Sequence, residues 1–357
     1  MKLHSQIIRH CILILALALG LIQVANANPG GINSNLQLWL DADQAVTGTT
    51  TVSQWGDQSG KGKHVTQNTA GNQPALNSAS STMNFHQSIE FDGNQDHLIN
   101  TSGIMTSSSD DMTFFIVADV NQSSGSQNQF FGMGSSFNNP HIGFKPSGEA
   151  SYSDKVLLVT NTWDFSSAPA QLMPYTQPLI FSGAIDYSLI FSTAYNYING
   201  QVNDDTPSSA LNLTHSGTGD FALGGDNQDL DGRISEFLIY NTVLSATERQ
   251  KVDSYLAIKY GLTLSNDYLN STATTVYALD GTYNNNIVGI AKDISGSLDQ
   301  RISRSVDGTS NLTLSTDTNF STNNSSHADT LLDGDYLVFG HNNASITSTQ
   351  ISELSAG

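Results

Sequence analysis

The most constraining feature of the sequence is the stretch from Gly224 to Leu264, which combines a glycine-aspartate turn, a long apolar strand and a capped helix. The strand, Arg233 to Asn241, alternates little between polar and apolar residues, so we predict that both of its faces are covered. The helix should begin at Ser245, because Glu248 completes a capping box, and it should end at Gly261. Its buried stripe, read at helical spacing, comprises Val252, Tyr255, Leu256 and Lys259.

Most of the chain before this helix has the pattern of short strands separated by turns. About ten such strands favour an antiparallel sandwich over an α/β plan. The Asn199-Gly200 pair joins two of them and predicts a hairpin turn with two positive φ angles. Shorter strands restart after the helix, at 275–279, 286–291, 312–315 and 336–340. We therefore predict an all-β fold with one C-terminal helix, followed by a smaller β-rich domain.

Residues 1–27 have the pattern of a signal peptide. Lys2 and Arg9 give a positive start, Cys11 to Val24 is a mostly apolar run, and Ala25-Asn26-Ala27 is a small-x-small cleavage site. The run is too short to span a bilayer comfortably, so we expect no membrane insertion after cleavage. The prediction is a secreted, extracellular or bacterial cell-surface protein. Cleavage removes the only cysteine, so the mature chain can form no internal disulfide.

Several short motifs resemble one family of secreted domains. The final strand and helix carry D-G-x-I-x-E-x-x-I-Y-N followed by L-S-x-x-E, and upstream lie L-W-L-D-A, W-x-D-x-S-G and F-D-G. This set is similar to laminin-G-like domains of bacterial secreted or surface proteins. The resemblance implies a concanavalin A-like jelly-roll sandwich over residues 28–264. The residues that carry it are Leu38 to Ala42, Trp55 to Gly60, Phe91 to Gly93, Asp231, Gly232, Ile234, Glu236, Ile239, Tyr240, Asn241, Leu244, Ser245 and Glu248.

Residues 265–357 resemble an uncharacterised extracellular β-module that often follows such domains. The resemblance runs from Tyr283 to Ile290 and on through Leu298, Gln300 and Ser303. The chain stops at Gly357, soon after the last predicted strand. A module cut short leaves an unpaired sheet edge, which folded proteins usually cover. We therefore expect that this second domain is incomplete.

The charge balance limits the partners of the chain. The sequence has 32 Asp+Glu against 13 Lys+Arg, for a net charge of -19. Binding to nucleic acid or to anionic membranes needs Lys and Arg to contact phosphates, so the composition argues against both. Neutral glycans and divalent cations remain compatible with it.

A catalytic carboxylate pair is incomplete in the sequence. Retaining glycoside hydrolases need two carboxylates roughly 5 Å apart, often in an E-x-D-x-x-E strand. Glu90 and Asp92 begin that pattern, but Gln95 occupies the place of the third acid. Asp92-Gly93 can equally be a plain turn. No G-x-S-x-G or H-E-x-x-H motif occurs. We predict no catalytic residues and no enzyme, with a glycosidase as the minor alternative.

One loop has half of a calcium-binding pattern. Asn227, Asp229, Asp231 and Gly232 match the first half of an EF-hand loop, but Leu238 occupies the twelfth position and a strand follows. A true EF-hand is therefore excluded. The family resemblance implies a possible Ca²⁺ at the loop rim, with Asp229 and Asp231 as candidate ligands. The alternative is a solvated hairpin.

Three aromatic residues are candidates for sugar stacking. The resemblance implies binding through loop aromatics, and Trp163, Tyr175 and Trp55 lie in segments rich in Asn, Asp, Ser and Gln. Trp163 is the strongest candidate because 161–178 is long and non-periodic. Each ring can instead cap the sandwich core, and Trp55, within the W-x-D-x-S-G motif, fits that role best.

These observations leave three functions open. The first is recognition or adhesion at the cell surface through a glycan or extracellular-matrix-like ligand. The second is glycan processing on the same fold, and the third is a structural spacer without a ligand. Since fold does not determine function, the site must decide between them.

Overall fold

The computed structural model describes residues 27–121, 128–134, 141–145, 155–160, 164–167, 177–187, 191–202, 208–211, 218–225, 229–308 and 312–344. Within these ranges the chain forms strands β1–β25 and one α-helix, α1 (Ala246–Tyr260), so the fold is all-β with one helix. The strands before α1 are β1 (Leu36–Asp41), β2 (Val46–Thr47), β3 (Gln54–Trp55), β4 (Val65–Thr66), β5 (Ala75–Ser80), β6 (His86–Asp92), β7 (Leu98–Asn100), β8 (Met112–Val120), β9 (Asn128–Met133), β10 (His141–Lys145), β11 (Lys155–Thr160), β12 (Asp164–Ser167), β13 (Leu179–Asp186), β14 (Phe191–Ile198), β15 (Gln201–Val202), β16 (Ser208–Leu211), β17 (Phe221–Leu223) and β18 (Asp231–Tyr240). Those after it are β19 (Tyr268–Leu269), β20 (Thr275–Tyr277), β21 (Asn285–Asp293), β22 (Leu298–Gln300), β23 (Ile302–Arg304), β24 (Thr313–Ser315) and β25 (Tyr336–His341).

Two antiparallel sheets form the body of the molecule. The first sheet has the order β15-β14-β13-β8-β18-β6-β5, with β1 paired to β18 and β16 paired to β14. The second sheet has the order β12-β11-β10-β9-β17-β7-β4-β3-β2. Asn199 and Gly200, between β14 and β15, have φ angles of 47° and 75°, which confirms the predicted hairpin turn.

The interior between the two sheets is apolar. Phe114 and Phe237 of the first sheet meet Phe131 and Phe221 of the second, with ring centroids 5.1–5.5 Å apart. All four rings are fully buried. Two sheets that share one layer of interdigitated side chains form a β-sandwich, as the sequence pattern predicts.

Strand β18 is covered on both faces, as its lack of regular polar–apolar alternation predicts. A register shift between Ile234 and Glu236 marks an irregularity in its pairing with β8. After it, Phe237 and Ile239 belong to the interior between the sheets, whereas Leu238 and Tyr240 belong to a second cluster with α1. The central strand therefore contacts both cores.

Helix α1 packs on the outer face of the first sheet. Ser245 Oγ accepts from the backbone N–H of Glu248, whose carboxylate accepts from Ser245 N at 2.9 Å, so the predicted capping box forms. Gly261 ends the helix with a left-handed φ of 68°. All four residues of the predicted stripe are buried, and the continuous buried set is Val252, Asp253, Ser254, Tyr255, Leu256, Ala257, Ile258, Lys259 and Tyr260.

The strands after α1 form three small sheets, namely β19-β20, β22-β21-β25 and β23-β24. Their apolar side chains, including Ile287, Ala291 and Leu298, share one cluster with α1 and with Phe115 of the first sheet. The helix thus lies between the sandwich and these C-terminal strands, and one apolar cluster crosses the predicted boundary at 264. Among the described strands β25 pairs only with β21, and its Leu337 and Phe339 are exposed.

Candidate functional site at the junction

A buried polar cluster lies between β1, β18 and α1, and we call it the junction network. Its centre is Glu236 of β18, which is fully buried. Four donors converge on this carboxylate: Trp39 Nε1 at 2.8 Å, Tyr255 OH at 2.8 Å, Lys259 Nζ at 2.8 Å and Tyr260 OH at 2.9 Å. A buried carboxylate is costly unless its acceptor sites are filled, and these four donors fill them.

Lys259 joins this cluster to the first strand. Its Nζ lies 2.8 Å from Asp41 Oδ2 as well as 2.8 Å from Glu236 Oε2, and it lies 5.6 Å from the Tyr255 ring centroid and 5.2 Å from that of Tyr260. One ammonium is therefore shared by two buried carboxylates and lies near two aromatic rings, whose faces attract cations.

Burial and charge act in opposite directions on these groups. Burial raises the pKa of Glu236, and the neighbouring ammonium of Lys259 only partly offsets this effect. Burial acts to lower the pKa of Lys259, but Asp41 and Glu236 together hold that pKa well above its ordinary value. Lys259 is therefore an ammonium at neutral pH, and the network depends on its charge.

The turn at Asn84 and Phe85 fixes the end of α1. These two residues have φ angles of 50° and 68°, which are uncommon for residues other than glycine. The side chain of Asn84 donates to the carbonyl of Lys259 at 2.9 Å, and its Oδ1 accepts from Arg304 N at 2.6 Å. Asn84 thus satisfies a terminal helix carbonyl and ties the sandwich to β23.

A cleft of about 290 Å³ opens beside the network, and we call it the junction cleft. Its walls come from the turn after β1, from the start of β6 and from the C-terminal strands. The lining residues are Asp41, Asp43, Gln44, Phe85, His86, Gln87, Lys259, Ser297, Asp299, Gln300, Arg301, Asn323, Asn324 and Ser325. Nearly all are polar, and the cleft exists only because the C-terminal strands pack against the sandwich.

His86 bridges the two walls of the cleft. Its Nδ1 contacts Asp43 Oδ2, and its Nε2 lies 2.8 Å from Gln300 Oε1. The amide of Gln300 donates to the carbonyl of Ile302 at 2.6 Å, which leaves its oxygen as the acceptor. Both ring nitrogens of His86 therefore lie against acceptor oxygens. Burial opposes ionisation of Asp43, yet His86 lowers the pKa of this carboxyl to about 2.

The opposite wall is held by Arg301 and Asn324. Arg301 Nε donates to Asp299 Oδ1 at 2.9 Å, and Nη1 donates to the carbonyl of His327 at 3.1 Å. Asn324 Oδ1 accepts from the backbone N–H groups of Arg301 at 2.7 Å and Ile302 at 3.2 Å. These bonds fix a polar surface, and its cation, Arg301, is already paired with the carboxylate of Asp299.

The charged side chains around the cleft contact one another: Asp41 with Lys259, Asp43 with His86, and Asp299 with Arg301. Amides, hydroxyls and paired charges are groups that hydrogen-bond to the hydroxyls of a polar ligand.

Of the predicted aromatic ligands, only Trp55 lies among the described residues. Its side chain is fully buried in the interior between the sheets. This burial matches the alternative that Trp55 caps the sandwich core, because it leaves no face of the ring to stack on a sugar. Trp163 and Tyr175 lie outside the described residues.

The predicted calcium ligands occupy the start of β18. Asp231 lies opposite Asp92 in the β18–β6 pair, and its Oδ1 accepts from Asn121 Nδ2 at 2.9 Å. Asp229 has one buried carboxylate oxygen without a hydrogen bond among the described residues. Across the described ranges, no three His, Cys, Asp or Glu side chains are grouped as metal ligands. Calcium at Asp229 and Asp231 stays a prediction.

Glu90 and Asp92, the first two residues of the incomplete carboxylate motif, make structural hydrogen bonds. Glu90 accepts from Asn77 Nδ2 at 2.6 Å on the neighbouring strand. Asp92 Oδ1 accepts from Asn94 N at 2.9 Å, as expected for a turn in which Asp bonds its own backbone. These contacts match the plain-turn alternative.

Sequence reasoning found the motifs of the junction but not their assembly. Asp41, Glu236 and Lys259 all lie in segments that the sequence analysis singled out, yet they are 23 to 218 positions apart. A signal was present, because an acid on a buried strand and a lysine on a buried helical stripe both need partners. No comparable signal, a charged residue on a buried strand or stripe, pointed to His86, Gln300 or Arg301.

Comparison with known proteins gives a coarse match. Residues 248–356 match a sequence family described as a domain of unknown function, DUF8202. No curated protein matches the chain. The family segment begins within α1, in agreement with the packing of this helix against the C-terminal strands. Among the described residues, no helix is long and apolar enough to cross a membrane.

Solved structures are similar at low identity. Domain 4 of AbnA, a GH43 extracellular arabinanase from Geobacillus stearothermophilus, is 15% identical with a TM-score of 0.42, over 62% of this chain and 98% of that one. The binding domain of Paraclostridial Mosquitocidal Protein 1 is 13% identical with a TM-score of 0.44, over 65% and 56%. A Trypanosoma rangeli sialidase in complex with sialic acid is 11% identical with a TM-score of 0.42, over 62% and 33%. This chain thus spans about a third of the sialidase. At these identities and TM-scores, the ligands of those proteins cannot be assigned to this chain.

Proposed function

We propose that the protein is a secreted or cell-surface recognition module that binds a neutral, hydroxyl-rich ligand of the glycan type in the junction cleft. The observation that carries the proposal is the polar cleft of about 290 Å³ built jointly by the sandwich and the C-terminal strands. Its volume lies near the low end of the roughly 300–1,000 Å³ of small-molecule sites, which suits one sugar residue of a chain.

The chemistry of the lining supports a neutral ligand. The cations of the cleft are already engaged: Lys259 with Asp41, and Arg301 with Asp299. A carboxylate or phosphate ligand has to compete with these acids for its partners, and the net charge of -19 opposes its approach. Amide and hydroxyl groups, from Gln87, Asn323 and Ser325 among others, remain to bond sugar hydroxyls.

Binding is favoured over hydrolysis for an electrostatic reason. Hydrolysis of a glycoside needs one carboxyl held neutral and a second held ionised. The pKa of Asp43 is lowered to about 2 by His86, although burial opposes this, so Asp43 cannot act as a proton donor near neutral pH. This argues against Asp43 as the acid that the glycosidase alternative requires, and the spacer alternative remains the main competitor.

A glycan array followed by titration calorimetry on the mature chain tests the proposal. Ser325→Trp places a bulky side chain at an exposed position of the cleft rim without removing a bond that shapes it. We expect at least a tenfold loss of affinity, or about 1.4 kcal/mol. The matched control is Thr247→Trp, which adds the same ring at an exposed position on the first turn of α1.

Three results contradict the proposal in different ways. If Trp163→Ala abolishes binding while Ser325→Trp does not, the ligand binds at the loop that the sequence predicts. If neither variant matters and no glycan binds, the spacer alternative stands. Release of reducing sugar by the unaltered chain would overturn the non-enzymatic assignment.

A further inference from the structure

The inner end of the junction network brings three reactive groups into contact. Lys259 Nζ lies 2.8 Å from Asp41 Oδ2 and 2.8 Å from Glu236 Oε2. All three side chains are at least nine-tenths buried. An amine, a carboxyl carbon and a second carboxylate that can carry protons therefore meet in a space from which water is largely excluded.

We propose that this triad forms an intramolecular amide cross-link between Lys259 Nζ and Asp41 Cγ, with Glu236 as the proton carrier. The assignment is independent of whether the junction cleft binds a ligand. It makes Lys259 and Asp41 a modification site of the folded chain.

The reaction balances with the groups that are present. The ammonium of Lys259 transfers one proton within the network, and the amine attacks Cγ of Asp41, one bond beyond the oxygen it already contacts. The N–C bond forms and a C–O bond of Asp41 breaks. The departing oxygen leaves as water with two protons, both of which come from the ammonium. Glu236 accepts a proton, passes it to the departing oxygen and ends as a carboxylate.

The surroundings favour this reaction because they hold the reacting groups in fixed positions. Reacting groups held in contact gain a large rate advantage over the same groups free in solution, because their orientation is already fixed. Trp39, Tyr255 and Tyr260 hold Glu236 beside the amine by three hydrogen bonds of 2.8–2.9 Å. The ion pair opposes proton transfer from Lys259, so we expect a slow reaction. Each molecule has to react only once, so even a slow reaction can cross-link the protein.

The cross-link would join the two ends of the sandwich. Asp41 is the last residue of β1, and Lys259 lies in the last turn of α1, 218 positions along the chain. A covalent bond across so long a loop removes much of the freedom of the unfolded chain. The chain has Cys11 as its only cysteine, so an internal disulfide cannot perform this role.

Intact mass spectrometry of the full exported chain, purified after folding and again after days at 37 °C, tests the proposal. We expect the mass to be lower than that of the sequence by one water. Trypsin should then yield residues 28–61 joined to residues 252–292 with Lys259 uncleaved. An unmodified mass in both samples overturns the proposal.

Variants separate the cross-link from other losses of water. Lys259→Arg keeps the charge but cannot form the amide, so it should retain the full mass. Lys292→Arg, at the surface pair with Asp329, should still lose one water. Glu236→Gln should slow the loss by about 10²-fold or more, because proton transfer then lacks its carrier. Circular dichroism establishes that each variant is folded.

Cyclisation at an Asp-Gly bond, such as Asp231-Gly232, removes the same mass. That loss does not depend on Lys259 and gives no joined peptide. A loss of water that persists in folded Lys259→Arg, without the joined peptide in the unaltered chain, therefore overturns the proposal.

Discussion

The two faces of the first sheet are packed by different means. The inner face meets the second sheet through rings such as Phe114, Phe131 and Phe237, with hydrocarbon contacts throughout. The outer face meets α1 through hydrocarbon as well, but it also buries Glu236 and Lys259. Apolar packing is non-directional and tolerates substitutions of similar volume, whereas a buried ion pair requires one partner at one distance.

The difference indicates where specificity lies in this molecule. The inner core makes the sandwich stable but leaves no access for a ligand, as the buried Trp55 illustrates. The outer face fixes the register between the sandwich, α1 and the C-terminal strands through directional bonds, and the junction cleft opens beside those bonds. The cleft of the proposed function therefore lies on the outer side of the sheet, beside the buried charges.

The largest loss of stability should come from Lys259→Met, which tests the polar packing of the outer face. This variant keeps the hydrocarbon stem but leaves Asp41 and Glu236 without their cation. Breaking a buried pair from one side costs about 3–5 kcal/mol. We expect a loss of that order in the free energy of unfolding, measured with urea at neutral pH on freshly folded protein that still has its full mass. Lys292→Met is the control, since Lys292 pairs with Asp329 at the surface and should lose less than about 1 kcal/mol. Equal losses in the two variants would show that the outer face does not depend on its charges.

A medium effect should come from Gly261→Ala at the end of α1. Gly261 has φ 68°, and an added Cβ would lie 2.3 Å from the carbonyl oxygen of Arg304. Gly281→Ala is the matched control, because Gly281 has φ 81° but no neighbour within 4 Å. The control measures the left-handed strain alone, about 1 kcal/mol. We expect Gly261→Ala to lose about 2 kcal/mol more, and similar unfolding curves for both would show that α1 is not held against β23.

The third effect is on the pH dependence of stability, and it concerns Asp253. Among the described residues, this buried acid of α1 has no cation in contact with it as Glu236 has in Lys259. Burial raises the pKa of Asp253 to about 7, against the opposing effect of Arg249. A pKa raised in the folded state stabilises the fold fully below the unfolded pKa of about 3.9, and this contribution is lost as the pH rises through about 7.

Asp253→Asn should therefore flatten the decline in stability between about pH 4 and pH 7. The measurement is urea unfolding at half-unit steps of pH, with Asp267→Asn as a control on the loop after the helix. An unchanged slope in Asp253→Asn would mean that another acid titrates in this range, such as Asp96, whose pKa burial and Asp92 raise to about 6.

Local pattern predicted much of the fold because its signals are contained in short segments. The capping box at Ser245, the left-handed Gly261 and the Asn199-Gly200 turn each depend on neighbours within a few positions. The strands Met112–Val120 and Tyr336–His341 follow likewise from apolar runs between turns. Such signals act before any tertiary contact forms, so they can be read from the chain alone.

The candidate site is formed by long-range contacts that could not be inferred from the sequence. Trp55 and Trp163 look alike as aromatic residues in polar surroundings, and only packing reveals that Trp55 is sealed in the core. His86 and Gln300 are 214 positions apart, and their contact exists because the C-terminal strands dock on the sandwich. The sequence by itself determined the sandwich, its helix and the acids and lysine that need partners. Tertiary structure alone decided which partners they took and where the cleft opened, because both depend on how separately formed surfaces pack together.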